Sequence, residues 1–265
     1  MTGRSLHDAL LRVLTDAGLR RRLRDGDPAV AEALGGEEAG SLRRADPERL
    51  RRLARFFARH FYRERIVRLF RYGRALALAA GRDPLGVLDS VELRALLDEA
   101  VLGSPATAEA VARLVEAELL GALADRPFGS ALVAYEGAMF RVEAGPRGWR
   151  APATPRDGLP VRSPHARLLD LEWNLIPLIA ALRAGAGEPP EPPREPTRYL
   201  LALSPYGRVT SLRCSAPVAR LIEALDGQRS VVEAAATAGL GEAQARELVA
   251  RLTELGAVEW RAGSG

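Results

Sequence analysis

Few side chains in this chain combine the right type and spacing for chemistry. The histidines, His7, His60 and His165, lie far apart and carry no metal-ligand spacing. His60 stands in "ARHFYRER", beside Tyr62 and Glu64, and that trio is the one constellation that could move a proton. Cys214 is the sole cysteine, without a CxxC partner, and reads as a structural thiol. No GxxxxGK[ST] loop and no GxSxG elbow occurs. Gly239-x-Gly241 is a helix break, not a nucleotide fingerprint. These residues argue against a self-sufficient enzyme and predict no catalytic or metal site.

Arginine offers more. The chain has a net charge of +4, and arginine supplies every basic residue other than histidine. Between Arg43 and Arg82 stand 13 arginines against 3 acids, a local excess of +10. Arg51, Arg55, Arg59 and Arg63 recur every four residues and are read as one helix face. Such a stripe reads either as the solvated face of a core helix or as a surface for an acidic partner or nucleic-acid phosphates.

The elements that position these residues are mostly helical. Hydrophobic residues make up 47% of 265, enough for a core, and no run of about 18 apolar residues predicts a membrane span. The N-terminus, with Asp8 and Arg12 inside its apolar pattern, reads as an amphipathic helix from Ser5 to about Arg24, not a signal peptide. Asp27-Pro28 and Asp46-Pro47 read as helix starts, the second opening a helix to about Ala80 that bends near Tyr72-Gly73. Further helices are predicted from Asp83-Pro84 to about Leu102, from Ser104-Pro105 to about Ala124, and over Pro127–Ala144, whose Met139–Val142 end also suits a strand. Gly145 to Pro164 reads as loop, Ala166–Trp173 as extended, "NLIPLIAALRAG" as helix, and "GAGEPPEPPREP" (185–196) as an extended linker or lid.

Beyond the linker, Arg198–Leu203 and Arg208–Arg213 predict a hairpin turned by Pro205-Tyr206-Gly207. A helix capped by Ser215 follows, then a capping box at Ser230-Val231-Val232-Glu233, a third helix with Leu248, Val249, Leu252 and Leu255, and a strand "AVEW". The fold class predicted is α+β and mostly helical: a helical domain (1–144), a connector (145–197), and a winged-helix-like domain (198–265) of a hairpin and three helices.

Ser215 to Trp260 resembles PqqD-like peptide-recognition modules. The likeness rests on the helix with Ile222 and Leu225, on Asp226-Gly227 before Arg229-Ser230-Val231-Val232-Glu233, and on the last helix with "LGAVEW". Winged-helix DNA-binding domains share this architecture. In the PqqD-like family the unit binds the leader of a ribosomally made peptide as an added strand. The resemblance implies a peptide edge at Arg208, Val209, Thr210, Ser211, Leu212 and Arg213, with Arg246, Val249 and Thr253 from the third helix.

The whole chain, through "FARHFYRERI", "LVAYEGAMF", "LDLEWNLIPLI" and "RYLLALSPYGRVTSL", is similar to partner proteins of multinuclear non-heme iron-dependent oxidases of the methanobactin, 3-thiaglutamate and chryseobasin kind. The helical part also resembles bacterial proteins described as DNA-binding domains, often encoded beside such oxidases. The resemblance implies a cytoplasmic, non-catalytic subunit of a heterodimer. It would carry no cofactor, the iron would sit on the oxidase, and Arg51, Arg55, Arg59 and Arg63 would dock it. Two rivals stand: a transcription regulator, disfavoured because Glu242, Glu247 and Glu254 on the third helix would face phosphates, and an enzyme built around His60, Tyr62 and Glu64.

Overall fold

A computed structural model describes residues 6–144, 158–185 and 189–262. The fold is α+β and mostly helical, with helices alone in the N-terminal part and two small sheets with helices in the C-terminal part. The chain divides into two compact units, Met1–Ala122 and Leu123–Gly265. Among the described residues no helix is long and apolar enough to cross a membrane.

In the first unit, α1 (Leu6–Thr15) and α2 (Ala17–Arg24) replace the single helix expected from Ser5, whose first residue lies outside the described residues. Asp16 makes the break: its carboxylate accepts from Leu19 N at 2.9 Å and caps α2. Helices α3 (Pro28–Leu34) and α4 (Gly36–Arg43) follow, and Val13, Leu23, Val30, Leu34 and Leu42 join all four in one cluster. Asp46 caps α5 (Pro47–Leu69) at Glu48 N, with Pro47 in its first turn. The bend expected at Tyr72-Gly73 falls slightly earlier, at Phe70, before α6 (Arg71–Ala79). A 3₁₀ turn (Pro84–Asp89) and α7 (Val91–Asp98), capped by Ser90, divide the next predicted helix, and α8 (Pro105–Ala122) closes the unit.

The second unit opens with α9 (Gly129–Glu143), helical through Met139–Val142, so no strand forms there. This helix packs over a sheet from its own unit, so the expectation of one helical domain over 1–144 is corrected. Periodicity shows that a segment is helical without showing which core takes its face. Next come β1 (Gly158–Arg162), β2 (Ala166–Leu171), α10 (Ile176–Arg183), β3 (Thr197–Leu203) and β4 (Val209–Cys214). Then α11 (Ala216–Ala224), α12 (Val231–Ala238), α13 (Glu242–Glu254) and β5 (Val258–Ala262) complete the unit. The capping box at Ser230 and Glu233 is formed.

Strands β2, β3 and β4 make an antiparallel sheet with β3 in the middle. Side chains alternate between its faces. Tyr199 meets Tyr135 of α9 edge to face, centroids 5.4 Å apart. On the opposite face Leu200 and Ala202 join Leu221, Ile222, Val249 and Leu252 of the helical module. Burial on both faces explains why "YLLAL" is apolar throughout. Strand β5 does not join the hairpin; it pairs with β1, placed in a loop by the sequence reading.

Candidate peptide edge and arginine helix

Strand β4 pairs only with β3, so one of its edges carries no strand among the described residues. The register says which backbone groups face that edge. Ser204 N donates to Arg208 O at 2.8 Å, which makes 204/208 a hydrogen-bonded pair at the hairpin base. Such pairs alternate along an antiparallel ladder. Thr210, Leu212 and Cys214 therefore turn their N–H and C=O groups to β3, and Val209, Ser211 and Arg213 turn theirs outward. The side chain of Leu212, opposite Leu200, stays 38% exposed beside this edge.

Of the other residues implied for the peptide, Arg208 is exposed and precedes the strand, its N–H donating to Ser204 Oγ at 3.1 Å. Arg213 reaches Glu195 at 2.5 Å. Of the three on α13, Arg246 alone is exposed, and it pairs with Glu242 at 2.7 Å. Val249 and Thr253 are not at the surface. Val249 lies in the module core at 1% exposure, and the Thr253 hydroxyl donates to Val249 O and accepts from Trp260 Nε1. They share the helix's inward stripe with Ala245 and Leu252, so a peptide contact there is corrected.

A network that the sequence reading misses braces the sheet from the proline-rich segment. Asn174 Nδ2 donates to Glu195, which also takes the Arg213 ion pair, and Asn174 N donates to Pro193 O. Tyr199 Oη accepts from Leu175 N at 3.0 Å. Buried Pro189 and Pro192 hold the described part of the connector against the unit. Hydrogen bonds from Asn174 and then Arg213 hold the Glu195 carboxyl below the usual glutamate range. A depressed carboxylate contributes above its unfolded pKa and loses that contribution as pH falls. Hydrogen exchange over 191–198 should therefore quicken as pH drops below about 4, after correction for the intrinsic rate; an Asn174→Ala variant with the same corrected pH profile would refute the role.

The arginine stripe separates in three dimensions. Four residues advance a helix by about 400°, so each step drifts about 40° and Arg51 to Arg63 wind a third of the way round. Arg51 pairs with Glu48 at 2.8 Å, Arg55 grips Asp98 of α7 with two nitrogens, and Arg59 meets Asp89 at 2.7 Å. Among the described residues Arg63 alone of the four has no carboxylate partner. The neutralising acids Asp89 and Asp98 lie outside the basic window, where a local charge count does not see them.

The His60, Tyr62 and Glu64 constellation does not converge. His60 Nε2 and Glu64 meet at 3.2 Å in solvent, while Tyr62 points the other way at 1% exposure. Burial pushes the Tyr62 hydroxyl up to about 12, and burial likewise raises the Cys214 thiol. His7 is exposed and His165 half-buried. Among the described residues no three His, Cys, Asp or Glu side chains group as metal ligands. Compared with protein-family models and with curated proteins, the chain matches none.

Proposed function

We propose that this chain is a cytoplasmic, non-catalytic partner subunit of an iron-dependent oxidase, and that it holds the leader of a ribosomally made precursor peptide as a strand added beside β4. The observation that carries this reading is the open edge of β4, with the N–H and C=O of Val209, Ser211 and Arg213 turned outward. Leu212 supplies an apolar contact next to that edge, and the Glu195 and Asn174 brace keeps the sheet rigid while a strand docks. The iron and its ligands belong to the oxidase; this chain binds and orients the peptide. As a DNA reader, α13 would offer Arg246 and Arg251, and each already faces a glutamate on its own helix.

Proline has no N–H, and Ser211→Pro removes an outward donor while keeping the bonds to β3. Titration of a fluorescent leader peptide, encoded beside the oxidase gene, should show at least about tenfold weaker binding to Ser211→Pro, because the peptide carbonyl is left without its donor. Thr210→Pro, which removes a bond to β3, should instead unfold the sheet. Undiminished affinity in folded Ser211→Pro refutes strand addition here. Salt-sensitive binding of a random duplex without leader binding favours the regulator.

A further inference from the structure

Helix α5 sends Ala54, Ala58, Tyr62, Ile66 and Leu69 into the core. At about 100° per residue, its far side carries Arg49, Arg52, Leu53, Phe56, Phe57 and Arg63. All six are exposed, Phe56 at 67% and Phe57 at 43%, and the two rings pack edge to face with centroids 6.0 Å apart. The pair forms an exposed aromatic knob. Arg49, Arg52 and Arg63 have no carboxylate partner among the described residues, whereas Arg51, Arg55 and Arg59, which lie outside this face, do. The acid nearest this far side, Glu64, is engaged with His60.

We infer that this face docks a protein segment bearing carboxylates around an apolar seam, an acidic amphipathic helix. Three uncompensated guanidiniums select against a second copy of the chain, which would set arginine against arginine. A helix lying on a membrane keeps its cations beside a continuous apolar strip; here Arg49 and His60 share the line of Phe56. Aromatic and arginine side chains together are the composition of protein interface hot spots. Arg49 to Arg63 spans about 21 Å, the length of about four helical turns. This face lies in the first unit, and the inference does not rest on strand addition at β4.

The test uses the full chain and a synthetic helical peptide with glutamates flanking a leucine seam, against a twin with lysines in their place. Anisotropy should show the acidic peptide binding wild type, and binding at least about tenfold weaker to Phe56→Ser/Phe57→Ser and to Arg49→Glu/Arg52→Glu/Arg63→Glu. The lysine peptide should prefer the charge-reversed variant. All sites are exposed, so circular dichroism melts should match wild type. The inference is overturned if the acidic peptide binds no tighter than its twin, or equally to all three proteins. Self-association lost with the two phenylalanines assigns the face to a second copy. Without peptide binding, sedimentation with phosphatidylserine vesicles that needs Phe56 and Phe57 assigns it to a membrane. Either result overturns the inference, and neither touches leader binding.

Discussion

Gly256→Ala should lower the stability of the second unit by about 3 kcal/mol, from roughly 1–2 for the left-handed backbone and roughly 1–3 for overpacking. Gly256 sits at φ 76° just after α13, where a Cβ would overlap the Leu203 carbonyl oxygen and crowd Ser204. Neither neighbour is a flexible side-chain end; both belong to the backbone at the base of the β3–β4 hairpin. Trp173 and Trp260 fall in the second unit and no tryptophan occurs within residues 1–122, so fluorescence in guanidinium reports on that unit. Gly241→Ala is the control, at φ −68° with open space around it, and should cost under about 1 kcal/mol. A Gly256→Ala midpoint within the control's range would mean the contact relaxes away.

Leu200→Ala should cost about 2–5 kcal/mol, since Leu200 is 1% exposed in the middle strand and wedged among Leu221, Ile222 and Leu252. Its partner across the ladder, Leu212, has the same side chain at 38% exposure, and Leu212→Ala should cost about 1 kcal/mol or less. The same fluorescence experiment reads both. Equal losses would mean that the edge strand is as enclosed as the centre, which is the opposite of what strand addition requires.

Several helix starts were legible because capping is local: Asp27, Asp46 and Ser230 each do what their neighbours in sequence imply, whereas Ser215 heads α11 without the side-chain cap expected of it. The hairpin was legible for the same reason. Long-range relations were not. Nothing within Gly158–Arg162 announces a strand, since Pro160 sits at its centre and its partner lies at Val258–Ala262. The arginine repeat misled because a spacing of four looks like one face over a single turn and becomes a spiral over three. At α13 the apolar spacing of Leu248, Val249, Leu252 and Leu255 marked a buried stripe; assigning Val249 and its neighbour Thr253 to a peptide asked one face to serve two surfaces.

The β1–β5 ladder also sets a timetable for synthesis. Its two strands are separated by roughly a hundred residues, so at ~5–20 residues per second β1 waits on the order of 5–20 s for its partner. Strands β2, β3 and β4 are close together in sequence and can pair meanwhile. Once the turn at 225–227 has emerged it can hold β1, through Arg162 N to Leu225 O and Gly227 N to Pro160 O. Pro160 turns its C=O to Gly227 and so lies on the edge away from β5, where its missing N–H blunts that edge, while Leu159 and Val161 present the groups that β5 takes. Sealing this unit is therefore a late event on the ribosome's clock, gated by the emergence of Val258–Ala262.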